Sequence, residues 1–385
     1  MVTLNAVFRR HGPQVLAQCG MQLTACQRQA LHAIAQCRTA ALGGHVYACA
    51  TCQTTRYSYH SCRNRHCPTC QQDASQRWLA QQQTLLLPVP YFLVTFTLPG
   101  KLRAVAQQHP TTVYNLLFRT SAAALQHLAQ DPRFVGGQIG MLGVLQTWTR
   151  DLRYHPHIHY LVPALGRAPA GVRWRVGRRT FLVPTKPLAQ IFRAKLRDAL
   201  GRALPHAEIP AAVWRQAWVV DCRPVGNGAA ALTYLAPYIF RIALSNNRIE
   251  QLTGETVTFR YTAAATGQSK RCTLPAITFI RRFLAHVLPK GFVKVRAYGL
   301  LRPGNRHLLA EARAWLATTT VDRPDAAQRV TALDAPPRRQ VPDVTTCPGC
   351  GGTMQLVQTL PGPREIRRAL ACAPTTSRGP PAPSA

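Results

Sequence analysis

Acidic side chains are scarce in this chain. Of 385 residues, 14 are Asp or Glu and 47 are Lys or Arg, a formal charge of +33, and no acidic residue precedes Asp73. Such an excess repels itself in a compact state unless a polyanion offsets it, which makes nucleic acid the expected partner. Long apolar runs are also missing. The best, LLLPVPYFLV at 85–94, is too short and too proline-rich to span a bilayer. The opening MVTLNAVFRRHGPQVLAQ holds no apolar signal core, and no long basic amphipathic helix stands out. A cytoplasmic protein with no membrane partner is expected. Hydrophobic content, at 46%, is not among the deficits, so the chain is not disordered overall, and its length suits two or three domains with a sizeable core.

Cysteine is plentiful. The count of 13 is odd, and several come as C-x-x-C pairs, which in a reducing compartment means metal rather than disulfides. The stretch HVYACATCQTTRYSYHSCRNRHCPTCQ at 45–71 carries two such knuckles, Cys49–Cys52 and Cys67–Cys70. Two knuckles at this separation predict one structural, tetrahedral zinc site. Cys62, His45, His60 and His66 are then surplus: each could replace a ligand, support a second ion, or do neither. A further knuckle, Cys347–Cys350, is followed by two glycines. It lacks a partner unless Cys372 contributes.

Two other stretches carry chemistry. In HPHIHYLV, 155–162, His157 and His159 are two apart, so on a strand they share a face and could share a divalent ion. In TYLAPYIF, 233–240, Tyr234 and Tyr238 are four apart and stack on one side of a helix. Together they suggest a metal-assisted tyrosine nucleophile acting on a phosphodiester. Either pair alone also fits an ordinary strand histidine pair or an aromatic core stripe.

The remaining pattern organises the chain. Residues 1–44 read as helical, 72–89 as a helix, and YFLVTFTLP at 91–99 as a central strand. Helical pattern resumes over 101–130. The segments 140–149 and 153–163 read as a hairpin turning near Asp151, which could set Gln146 or Trp148 opposite the histidines. Strand, turn and helix are expected over 181–200, and a strand and turn over 217–228. Residues 241–313 hold 13 basic side chains against three acidic ones, interleaved with aromatics, which suits a surface that tracks a phosphate backbone. Arg63, Arg65, Arg241, Arg248, Arg281, Arg282, Lys294 and Arg296 are the candidate DNA-binding residues. The expected divisions are a helical and zinc-binding DNA-binding domain at 1–75, a catalytic domain at 85–315, a linker at 316–345, and a partial zinc-ribbon knuckle with a disordered tail at 346–385.

These motifs, in this order, resemble the HUH transposases of rolling-circle insertion sequences, the insertion-sequence-91 group. The resemblance rests on SCRNRHCPTCQ, YFLVTFTLP, VLQTWTRDLRYHPHIHYLVPALG, YLAPYIFRIALSNNRI, FIRRFLAHVLPKGF with KVRAYGLL, and CPGCGG, and covers about residues 20–352. It implies an α+β fold, an antiparallel-sheet HUH endonuclease core with helices packed on it, preceded by a small zinc-binding domain. It implies that His157 and His159 bind magnesium or manganese with a third ligand, and that Tyr234 or Tyr238 forms a 5′-phosphotyrosine with single-stranded DNA at an element end, leaving a free 3′-OH. In related enzymes the third ligand is Glu, Gln, His or Asp. Gln146 is the candidate here and His155 a weaker one, although Gln146 could equally serve as an ordinary hydrogen-bonding residue of the sheet. Two departures stand out. Ala236 and Pro237 lie between the tyrosines where the family has a small and then a basic residue, and Ala164 and Leu165 replace glycines. A replication initiator or relaxase shares the histidines and tyrosines, and an inactivated copy would act only as a zinc-dependent DNA-binding protein. A transposase with an acidic triad is excluded by the lack of any acidic cluster. With no P-loop, strand displacement would depend on a host helicase.

Overall fold

The computed structural model describes residues 2–168, 173–240, 244–263, 266–319 and 345–363. It opens with α1 (Leu4–Cys19) and α2 (Ala25–Gln36), so the helical reading of 1–44 resolves into two helices. Thr24 and Gln27 form a reciprocal capping box that starts α2. A ribbon of β1 (Gly44–Cys49) and β2 (Thr55–Tyr59) follows, then α3 (Gln72–Gln83). Next come β3 (Tyr91–Thr97), α4 (Arg103–Gln108) and α5 (Pro110–Ala129). The helical pattern over 101–130 is thus interrupted at His109, because Pro110 disfavours a helical conformation in the residue before it.

Short β4 (Gln138–Ile139) precedes the hairpin β5 (Met141–Trp148) and β6 (Tyr154–Pro163), then β7 (Leu165–Arg167) and β8 (Trp174–Val176). Helices α6 (Thr185–Ala203) and α7 (Ala212–Arg215), strand β9 (Val220–Pro224) and α8 (Ala229–Phe240) come next. The strand expected at the start of 181–200 is not formed. Leu182 and Val183 are buried as loop residues, and Pro184 ends the apolar run by leading directly into α6. The last elements are β10 (Ile249–Thr253), β11 (Thr256–Thr262), β12 (Ser269–Pro275), α9 (Ala276–Leu284), β13 (Val295–Tyr298), α10 (Arg306–Thr318) and β14 (Met354–Leu360).

The central sheet has five strands in the order β13-β5-β6-β3-β9, every neighbouring pair antiparallel. Alternation along the strands gives it two different faces. On one, Phe96, Ile158, Tyr160 and Leu145 pack against Phe118 of α5 and Phe192 of α6 in the largest core. The other face, with Leu93, Leu142, Val144 and Leu161, is covered by Leu232 and Leu235 of α8 and by Leu309 and Leu316 of α10. Helix α8 is aimed across this face by a tight turn at Gly228. Its φ is +80°, and a Cβ there would stand 2.8 Å from the Tyr91 ring, so only glycine fits.

The N-terminal helices do not form a core of their own. Phe8 of α1 meets Phe283 of α9 edge-on at 5.3 Å, and both share a cluster with Leu31, Ile34, Val257 and Phe279. Strand β14, from the C-terminal end, pairs antiparallel with β1 to make a three-stranded sheet β14-β1-β2. The segment expected as a separate knuckle therefore adds to the N-terminal ribbon. Of the expected linker, 316–318 belong to α10, while 320–344, Cys372 and the expected disordered tail lie outside the described residues.

Candidate active site and cysteine centres

The hairpin turns where the sequence predicted. Leu152 takes φ +66° in the turn, and Arg153 forms an ion pair with Asp151 at 2.7 Å. The register then sets Gln146 opposite His157 and Val144 opposite His159 on one side, and Thr97 opposite His157 and Thr95 opposite His159 on the other. Facing residues of antiparallel strands share a face. The histidine rings lie 4.9 Å apart at 85°.

Hydrogen bonds orient both rings. Nδ1 of His157 lies 2.7 Å from the His155 carbonyl oxygen. A carbonyl only accepts, so Nδ1 carries the hydrogen and Nε2 keeps its lone pair. Nδ1 of His159 lies 2.8 Å from the Thr95 hydroxyl. Burial pushes the His157 pKa down to about 4. Burial, with His157 and the Arg223 guanidinium nearby, holds His159 well below the usual histidine value. Both rings are therefore neutral at pH 7, the state that binds metal. His155 is engaged elsewhere, since Arg103 donates to its Nδ1 at 2.7 Å.

Gln146 is 4% exposed, and its Nε2 has no partner among the described residues. Turning the amide over, which leaves its shape unchanged, presents an oxygen at that position. Two neutral imidazoles and a buried amide with an unsatisfied end fit a divalent cation. Tyr234, half-buried on α8, reaches the same place, its ring edge-on at 6.4 Å from that of His159. The helix carrying it begins at Ala229, so Pro237 falls in its interior and gives the Thr233 carbonyl no N–H. The Ser75 hydroxyl of α3 donates to the next carbonyl but two, that of Ala236, at 3.0 Å.

The cysteines converge differently from the expectation. Cys49, Cys52, Cys67 and Cys70 do not share one site. Cys67 and Cys70 join Cys37 and Cys62, while Cys49 and Cys52 join Cys347 and Cys350. The physical reason lies in the ribbon: β1 and β2 carry the first knuckle away from the second, and β14 brings Cys347 and Cys350 alongside it. In each group the four sulfurs lie within 4.8 Å of one another. Sulfur separations of 3.4 Å for Cys49–Cys350, 3.6 Å for Cys52–Cys347 and 3.7 Å for Cys62–Cys70 are far from the ~2.05 Å of a disulfide. They approach the ~3.8 Å edge of a tetrahedron with Zn–S bonds of ~2.3 Å. Hydrogen bonds from the Cys37, Cys62 and Cys67 thiols push the Cys70 pKa down. His66 is not a ligand of either group, for its Nε2 accepts the Leu288 N–H at 3.2 Å.

Comparison with known proteins decides the family. A model described as a putative transposase matches residues 140–307, and one described as a transposase zinc-binding domain matches residues 7–98. The putative transposase y4qJ of Sinorhizobium fredii (strain NBRC 101917 / NGR234) is 39% identical over 321 residues, 78% of this chain and 80% of that protein. The chain belongs to the insertion-sequence-91 family of transposases. The transposase for insertion sequence element IS801 of Pseudomonas savastanoi pv. phaseolicola is 28% identical over 290 residues, 69% of this chain and 68% of that protein.

The transposase thus carries an N-terminal zinc-binding domain, and DNA is its partner. Among the described residues no helix is long and apolar enough to cross a membrane. Several of the arginines singled out for DNA have internal partners. Arg65 donates to the carbonyls of Phe292 and Pro289 at 2.6 and 2.9 Å. Arg248 donates to those of Arg260 and Arg150 at 2.7 and 2.8 Å. Arg296 stacks over Phe118 at 4.5 Å and donates to Asn115. Lys294 sits 5.5 Å over the Trp148 ring, its pKa lowered to about 7 by burial. Arg63 and Arg281 are exposed, Arg282 is half-buried, and Arg241 lies outside the described residues. Sequence reasoning missed Cys37, hidden at the end of a helix, and Thr95 and Arg103, which orient the histidines. For Thr95 the only signal is a polar residue inside the apolar strand YFLVTFT.

Proposed function

We propose that this transposase cleaves and rejoins single-stranded DNA at insertion-sequence ends through a 5′-phosphotyrosine, driving rolling-circle transposition, with Tyr234 as first nucleophile and Tyr238 as second. The approach of Tyr234 to His159 carries the reading: it sets a phenol beside the one pair of neutral, oriented imidazoles on the sheet. His157 and His159 would hold a divalent ion through Nε2, with Gln146 as third ligand. No Asp, Glu, Cys or further His converges with the pair among the described residues, which favours the amide. Magnesium or manganese bound there supplies Lewis-acid polarisation of the scissile phosphate.

The chain's own part follows. The His155 carbonyl keeps His157 in the metal-ready tautomer, and the Thr95 hydroxyl, by accepting from Nδ1, would do the same for His159. The Tyr234 oxygen attacks phosphorus and gives its proton to water, the bond from phosphorus to the 3′ oxygen breaks, and that oxygen takes a proton from water to leave as a 3′-OH. The phosphodiester becomes a phosphotyrosine of similar energy, so rejoining needs no ATP. Arg223, opposite Leu93 on β3 and paired with Asp221 at 3.7 Å, is proposed to offer a positive charge near the phosphate. It can stand in for the basic residue that Pro237 replaces. The cluster Cys37, Cys62, Cys67 and Cys70 is proposed to hold structural zinc within the matched zinc-binding domain. Pro237 inside α8 favours one second reading, an inactivated copy that only binds DNA. One experiment separates them. Full-length protein, manganese or magnesium and a labelled single-stranded element end should yield a denaturant-stable adduct mapping to Tyr234 or Tyr238. An adduct on neither residue, or none at all, overturns the mechanism.

A further inference from the structure

The second cysteine cluster joins parts of the chain far apart in sequence. Cys52 and Cys347 are 295 positions apart, Cys49 and Cys350 are 301. The two knuckles are built alike. In each, the residue after the second cysteine has positive φ, +58° at Gln53 and +75° at Gly351. Its N–H donates to the carbonyl of the first cysteine, Gln53 to Cys49 at 3.1 Å and Gly351 to Cys347 at 3.0 Å. The first cysteine's own N–H donates five residues ahead, Cys49 to Thr54 at 3.0 Å and Cys347 to Gly352 at 2.8 Å. Matched loops of this kind aim both sulfurs of each pair at one point, and the two points coincide. Gly352 closes the fit: a Cβ there would lie 3.3 Å from both Cys350 Sγ and Cys49 Sγ and 2.8 Å from the Thr51 hydroxyl.

Apolar packing cannot explain why this segment docks. Along β14 only Met354 is buried, while Leu356 and Val357 are 54% and 60% exposed. The local core consists of Cys49, Cys347 and Met354, with Tyr47 against it. A ribbon with so little core is marginal in water unless something else fastens it. Four thiolates in tetrahedral reach are such a fastener, because metal binding is coupled directly to folding.

We propose that Cys49, Cys52, Cys347 and Cys350 hold a second zinc ion, which clasps the C-terminal segment onto β1 and so completes the N-terminal zinc-binding domain with residues from beyond the catalytic region. The matched zinc-binding domain ends at residue 98 and does not include Cys347 or Cys350. The inference is independent of the chemistry at the histidine pair.

The test uses the full chain stripped of metal and titrated with cobalt(II). Thiolate-to-cobalt absorbance, to which histidine sites contribute nothing, should saturate at two equivalents. Cys347→Ser with Cys350→Ser should lower this to one, as should Cys49→Ser with Cys52→Ser. Saturation at one equivalent in the wild type, or at two in the Cys347/Cys350 variant, overturns the second site. The clasp is read separately, in wild-type sequence carrying a protease recognition site inserted between Thr319 and Thr345. After cleavage, the C-terminal fragment should co-elute with the main body in zinc and separate on chelation. Separation in the presence of zinc, or a zinc-dependent dimer in which the knuckles pair between chains, overturns the intramolecular clasp.

Discussion

Thr95→Val tests whether the histidine pair is a metal site or a buried strand pair. The Thr95 hydroxyl lies 2.8 Å from Nδ1 of His159, which is 7% exposed. Valine keeps the shape and the β-branched preference of the strand, so the change removes one hydrogen bond and little else. A buried N–H left without an acceptor costs about 1–3 kcal/mol. If His159 ligates through Nε2, the metal-bound state needs Nδ1 to carry the hydrogen, so this cost falls on the tautomer that binds. The expected result is a roughly 10–100-fold rise in the manganese concentration giving half-maximal cleavage of single-stranded DNA. At saturating manganese the cleavage rate should recover most of its wild-type value, which a general folding defect would not allow. Urea denaturation without metal provides the control. An unchanged manganese requirement, with loss of stability alone, would refute the positioning role and weaken the metal assignment.

Further outcomes follow from the same geometry. Gln146→Ala should raise the manganese requirement by about tenfold, the scale of ~1.4 kcal/mol of binding; an unchanged requirement places the third ligand elsewhere. Tyr234→Phe should abolish the covalent adduct formed in the first cleavage while DNA binding, measured by fluorescence anisotropy, stays within about twofold; an undiminished adduct would move the nucleophile to another residue. His286 is 1% exposed, hydrogen-bonded to Thr147 and the Leu152 carbonyl, and burial lowers its pKa from 6.5 to about 4. The unfolded chain therefore takes up a proton near pH 6.5 that the folded chain refuses, and stability falls as pH drops below that value. Between pH 7.5 and 5.0 this residue's share is about 2 kcal/mol, which His286→Gln should remove from the pH dependence of urea unfolding. Parallel pH profiles in the variant and wild type would show that the burial shift is absent.

What was legible in the sequence is what depends on local pattern. The alternation in YFLVTFT and in VLQTWTRDLRYHPHIHYLV fixes which side chains share a face. One hairpin turn at Asp151 then sets the register that puts Gln146 opposite His157. The tyrosine spacing placed Tyr234 on a helix, and only the fold could say that the helix crosses the histidine face. Ligand pairing among the cysteines was not legible, because two knuckles near each other in sequence look complementary whatever the chain does between them. Here β1 and β2 separate them: Cys37 and Cys62 gather with the second knuckle, and Cys347 and Cys350, in a loop roughly 300 residues away, gather with the first. Cysteine arithmetic held a clue: three C-x-x-C pairs plus Cys37 and Cys62 make two sets of four. The internal partners of Arg65 and Arg248 were not legible either, since charge pattern does not tell a phosphate contact from a bond to a backbone carbonyl.

That last point connects the scarcity of acid with the rest of the molecule. With 14 carboxylates available to 47 cations, most arginines cannot find an ion pair within the chain. Several are tied down by carbonyl oxygens instead: Arg38 to Tyr59, Arg65 to Phe292 and Pro289, Arg248 to Arg260 and Arg150. Such bonds satisfy donors without cancelling charge, so the repulsion remains for DNA to relieve. In the N-terminal region, where no acid precedes Asp73, the proposed zinc centres would be another source of negative charge. A zinc ion bound by four thiolates carries a net charge of about −2. Two such centres would place compensating charge beside Arg38, Arg56 and Arg63 without adding carboxylates that compete for the approach of a phosphate backbone. Zinc at both centres would thus give this fold cross-links where apolar core is thin and negative charge where the sequence supplies none, while the exposed basic surface stays available to nucleic acid.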